Sequence, residues 1–148
     1  MPGVMLGSWV AKMFRDGDRD LVIALNERTY LTIVFSLVPR ERFSTELASA
    51  MSKALRDLGI SERIVRAEAA AVELMPLGRL ERGELADVLD DVQSFCEMEL
   101  DYHTDLRVVQ RNLNDVPHPN RDPCVPLAAV RELFEGVTES PAWLRLTA

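Results

Sequence analysis

Two histidines, His103 and His118, are the only imidazoles in 148 residues, and Asp101, Asp105 and Cys124 lie near them in the chain. Imidazole, thiolate and carboxylate are the usual zinc ligands, so His103, His118 and Asp105 are the residues from which a metal-dependent hydrolase would be assembled. None of these residues is paired at i, i+4 on a well-marked helix or as CxxC, the patterns that bring ligands together. The competing reading sets one histidine beside a helix end and the other in a proline-rich loop, with no metal and no cofactor. Cys96 falls on the apolar stripe of a helix, where a thiol stays protonated and inert as a nucleophile. The acidic run Asp87, Asp90, Asp91, Glu97, Glu99 and Asp101 would hold a divalent cation only if its carboxylates converged; helical spacing turns most of them to solvent instead. There is no phosphate-cradling Gly-rich loop, no GxSxG and no HExxH, so catalytic residues are read as none.

Two further patterns bear on binding. Asn26, Glu27, Arg28 and Thr29 form the one polar cluster in an apolar stretch; as a hairpin tip they could present a binding edge, and as a turn they need no ligand. Gly59-Ile60-Ser61 between two helical patterns has the length and the glycine of a helix-turn-helix. Its second helix offers Arg63 and Arg66, but Glu62, Glu68 and Glu73 share it, which argues for an αα corner packed on a sheet rather than a DNA-binding regulator.

The elements that must position these residues follow from apolar periodicity. Ser8 to Arg15, Leu21 to Leu25 and Tyr30 to Val38 read as three strands, reversed at Asp16-Gly17-Asp18 and at Asn26-Glu27-Arg28, where Asn26 tolerates a left-handed backbone. The prediction is a three-stranded antiparallel meander over about residues 8–38, in an α+β domain whose sheet is covered by a layer of about four helices. Phe43, Leu47, Met51, Leu55 and Leu58 mark the first helix, with Ser44 as a possible cap and Gly59 as its stop. Ser61 opens a second, and a third runs from about Gly83 with Leu85, Val88, Leu89, Val92, Phe95 and Cys96 inward. His103-Thr104-Asp105 reads as a break, so 105–113 leans toward an extended segment. The prolines of 114–126 make a surface loop, Pro126 starts a last helix ended by Gly136, and 137–148 is a tail anchored by Trp143.

Length and composition suit one domain over 1–148. A charge of −7, from 24 acidic and 17 basic side chains, disfavours nucleic acid and suits a basic protein partner. No stretch resembles a signal peptide or a membrane span, and two cysteines outside any disulfide framework predict a cytoplasmic protein. The apolar first and third strands have edges that would allow a homodimer.

Leu6-Gly7-Ser8-Trp9-Val10-Ala11-Lys12-Met13-Phe14, followed by Leu21-Val22-Ile23-Ala24-Leu25-Asn26-Glu27-Arg28-Thr29-Tyr30-Leu31, resembles an uncharacterised bacterial and mobile-element family. Its members carry a Leu-Gly-Asp-Trp-Tyr-Ala-Asn pattern and then an apolar strand ending in Asn-Glu-x-Thr-Leu. The resemblance runs through the helix pair around Gly59, about the first half of the chain. Where members place Asn-Arg-Ser and Gly-Ser-Met-Asn-Asp at the start of the third helix, this chain keeps only Arg82, Leu85 and Asp90. The resemblance implies a domain of unknown function; Asn26, Glu27, Arg28, Thr29 and Arg82 are the binding residues expected. The functional expectation is a small non-enzymatic interaction or adaptor protein, antitoxin-like in size and charge.

Overall fold

Leu21-Val22-Ile23-Ala24-Leu25 has no polar face to offer water, so a strand made from it has to be covered on both sides. In the computed structural model, which describes residues 5–119 and 121–138 with side chains as far as 135, that strand is the centre of the sheet. Strands β1 (Trp9–Asp16), β2 (Arg19–Asn26) and β3 (Thr32–Ser36) form an antiparallel meander in the order β1-β2-β3. The register runs from Trp9 opposite Asn26 to Asp16 opposite Arg19, and from Leu21 opposite Ser36 to Leu25 opposite Thr32.

Five helices complete the α+β fold: α1 (Phe43–Asp57), α2 (Glu62–Glu73), α3 (Glu84–Leu100), α4 (Leu106–Leu113) and α5 (Pro126–Thr138). They lie on both faces, which divides the core in two. Val22, Ala24, Leu31, Ile33 and Phe35 pack with Leu47, Met51 and Leu55 of α1, Ile64 and Val65 of α2, and Val130 and Phe134 of α5. Leu21, Ile23, Leu25 and Val34, from the opposite face, pack with Leu89, Val92 and Cys96 of α3 and Val109 and Leu113 of α4. The two covers explain why β2 is apolar at every central position: each of these side chains is removed from water, a gain of about 1.5–3 kcal/mol for each large one.

The α1–α2 corner ends as its glycine predicts. Gly59 has φ +80°, its N–H donates to Arg56 O at 2.9 Å, and the Ile60 N–H donates to Leu55 O at 3.1 Å, the double closure of a helix ending in a left-handed residue. Five local expectations need correction. The left-handed residue in the β2–β3 reversal is Tyr30, at φ 61°, and not Asn26. Ser44 caps nothing, because the 3-10 turn Arg40–Arg42 leads straight into α1 and puts Arg42 at the cap. Residues 106–113 are helical: Asp105, read as part of a break, is the N-cap, accepting the Arg107 N–H at 2.9 Å. Phe95 is 47% exposed, since the inward stripe of α3 passes through Leu89, Val92, Cys96 and Leu100. Lastly, α5 continues through Gly136 to Thr138. Trp143 lies outside the described residues.

Candidate functional site

The two edges of the sheet are treated differently. On β3 three outward main-chain groups are closed by α4 and its C-cap residue: Asn114 accepts the Thr32 N–H through Oδ1 at 2.7 Å and donates from Nδ2 to Thr32 O at 2.8 Å, and Gln110 Oε1 accepts the Val34 N–H at 3.0 Å. Two side chains of one helix thus stand in for a fourth strand. On β1, the bond from Glu27 N–H to Ser8 O at 3.1 Å, with the register, sets Val10, Lys12 and Phe14 toward β2. The main-chain groups of Trp9, Ala11, Met13 and Arg15 therefore point outward, and nothing among the described residues pairs with them. Met13 is 60% exposed.

Beside this open edge is a cleft of about 950 Å³, walled by β1, the start of α1 and the extended segment that carries the chain from α2 to α3. Trp9, Ala11, Phe43, Leu47, Met75, Leu77 and Leu80 supply apolar lining; Glu27, Arg40, Arg79, Glu81, Arg82 and Glu84 supply charge. Pro76 and Gly78 keep the far wall out of helical geometry. Leu77 and Leu80 are 44% and 39% exposed. The Trp9 indole Nε1 is buried without an acceptor.

Of the five residues expected to bind, Glu27 and Arg82 are brought together in the cleft although 55 positions separate them in the chain. Asn26 and Thr29 are buried and committed to the fold. Asn26 Nδ2 donates to Leu6 O at 2.9 Å and Ser8 O at 3.2 Å, while its Oδ1 accepts from Arg28 N at 3.2 Å, Thr29 N at 3.0 Å and Thr29 Oγ1 at 2.9 Å. That carboxamide ties the strand leading into Trp9 to the β2–β3 reversal, and so holds one wall of the cleft. Arg28 is exposed and donates to Met5 O at 2.6 Å.

Glu68 has a comparable role that the sequence reading missed. It falls on the inward stripe of α2 between Ile64 and Val72, is 1% exposed, and its Oε1 accepts the backbone N–H groups of Met5 and Leu6, the latter at 2.8 Å. Burial pushes its carboxyl above the ordinary range, against the two amides and the nearby Arg28 that favour the anion. Its place four residues from both Ile64 and Val72 was the available signal.

The remaining candidates lie apart. His103 is 3.7 Å from Glu99 at the end of α3, and Asp105 caps α4. His118, in the 114–126 loop, meets the Tyr30 ring edge-on at 4.9 Å, and burial with the neighbouring Arg121 lowers its pKa. Among the described residues no three of His, Cys, Asp and Glu gather where a metal ion could be held. Cys96 is buried and its thiol is pushed up to about 12. On α2, Glu62 binds the Arg56 guanidinium at 2.8 and 2.9 Å and lies 3.6 Å from Arg66, while Ile64 and Val65 pack inward. Among the described residues no helix is long and apolar enough to cross a membrane.

Residues 2–126 match a protein family described as a domain of unknown function, DUF6933. The chain belongs to this family. No curated protein matches it. The DUF6933 match reaches well past the N-terminal strands, and it takes in β1 to α4, every residue that lines the cleft, and the two side chains that close the β3 edge.

Proposed function

We propose that this DUF6933 protein is a non-enzymatic interaction protein, an adaptor in a reducing cytoplasm, that holds a protein partner in the cleft beside β1. The observation that carries the reading is the cleft itself: exposed Leu77 and Leu80 facing Trp9 and Phe43, next to main-chain groups that have no partner among the described residues, whereas Thr32 and Val34 on the other edge are met by side chains. Apolar lining with a few convergent charges is the usual make-up of a binding site. The charge of −7 favours a basic partner, and the two free cysteines suit a reducing compartment.

The test is recovery of tagged full-length protein from its native host at low and moderate salt, in parallel with the double variant Leu77→Glu, Leu80→Glu. Both leucines are substantially exposed, so the variant should keep its fold within about 0.5 kcal/mol. The expected result is one enriched protein with the wild type and its loss with the variant. Equal recovery by both, or no enriched protein at either salt, refutes the reading.

A further inference from the structure

A neighbour laid along β1 is constrained on each face by what already stands there. Odd-numbered residues Trp9 and Ala11 turn their side chains to the α1 side, where the cleft is, and Val10 and Lys12 turn theirs to the α3 side. A strand added to this edge continues both faces with its own alternate residues. On the cleft side it meets apolar lining. On the other it meets α3, where Lys12 pairs with Asp90 and where Glu97 lies on the same exposed stripe of the helix, two turns after. One face thus selects apolar side chains and the other selects cations.

Resting on the binding reading above, we infer that the partner enters as an extended segment of alternating apolar and basic residues, which adds a fourth strand to the sheet beside β1. Its main chain pairs with the outward groups of Trp9, Ala11 and Met13, its apolar side chains enter the cleft, and its basic side chains face Asp90 and Glu97. A space of about 950 Å³ takes the side chains of such a segment and not the layers of a second domain, and a second copy would set −7 against −7.

The test uses the full chain and a displayed library of random nine-residue peptides, the best clone being synthesised. The expected consensus alternates apolar and basic residues; an acidic or non-alternating consensus overturns the inference. Saturating peptide should slow amide hydrogen exchange at Trp9, Ala11 and Met13 by about tenfold or more, while Val10, Lys12 and Phe14, already bonded to β2, change little. Ala11→Pro removes an outward N–H without touching the β1–β2 ladder and should weaken the peptide about tenfold. Met13→Pro, at a more exposed position, does the same and covers the case in which the first variant fails to fold. A folded proline variant that binds like the wild type overturns strand addition. Peptide that is sensitive to the Leu77 and Leu80 substitutions but protects no edge amide also overturns it while the cleft reading stands; peptide indifferent to those substitutions sinks both. A dimer that Ala11→Pro dissociates identifies a second copy as the occupant and refutes the peptide.

Discussion

Truncating Asn26 to alanine removes five hydrogen bonds at once, but they do not all cost the same. Ser8 and Arg28 are exposed, so water can replace the carboxamide at Ser8 O and Arg28 N, and the Thr29 hydroxyl can turn to another acceptor. Leu6 O and Thr29 N belong to residues 2% and 3% exposed and are left without partners. A buried unsatisfied group costs about 1–3 kcal/mol, so two cost about 2–6, with about 4 kcal/mol as the working value. Against a total stability of about 5–15 kcal/mol, that is a large loss from one surface-free side chain. Asn26→Asp separates the two halves of the network: it keeps the acceptor for Arg28 N and Thr29 N and sets a carboxylate against Leu6 O and Ser8 O. Both variants should be destabilised in urea unfolding followed by circular dichroism, with Asn26→Ala near the working value. A loss below about 1 kcal/mol for Asn26→Ala would show that the network is incidental to the fold.

Three more outcomes follow from the geometry. Asn114→Ala leaves Thr32 N and Thr32 O open on a residue 1% exposed and should cost about 2–6 kcal/mol, with chemical denaturation as the check; the same substitution opens the β3 edge and should make self-association concentration-dependent in sedimentation. Because burial raises the Glu68 carboxyl, the folded state holds its proton to higher pH than the unfolded chain does. The associated stability is present at low pH and lost as pH rises through the folded pKa, so Glu68→Gln should flatten that part of the decline in an unfolding series run upward from about pH 4; an unchanged slope contradicts the assignment. In the native protein, the exposed Cys124 should react with a thiol reagent and Cys96 should react only on unfolding, since its thiol is raised to about 12 by burial and by the nearby carboxylates; two fast thiols would refute its burial.

The meander was legible because Leu21 to Leu25 is an unbroken apolar run between turn residues, and α1 because its stripe stops at Gly59. What failed did so for identifiable reasons. Asp105 after His103 and Thr104 looks like a helix break and is a helix cap; the same short polar residue serves both purposes, and only the Leu106, Val109, Leu113 stripe could have decided. Phe95 and Cys96 are adjacent apolar residues, and the narrow stripe of α3 through Val92, Cys96 and Leu100 leaves Phe95 at its margin, turned out to solvent. The closure of β3 joins Thr32 to Asn114 across 82 residues, beyond any local pattern. Glu27 and Arg82 were both expected to bind, but their meeting in one cleft depends on how the segment after α2 turns back along β1.

The asymmetry of the sheet connects these observations. An exposed strand edge invites pairing with other chains, and the fold meets that hazard on β3 with the half-buried Gln110 and the buried Asn114. On β1 no such closure is made among the described residues. Instead Asn26 and Glu68 both reach back to residues 5–8 and tie down the approach to Trp9. A strand edge fixed by two buried polar side chains and bordered by exposed leucines has the form of a surface prepared for contact, since preorganisation lowers the ordering cost of binding. All of its components lie within residues 2–126, so the open edge and its cleft belong to the DUF6933 domain itself.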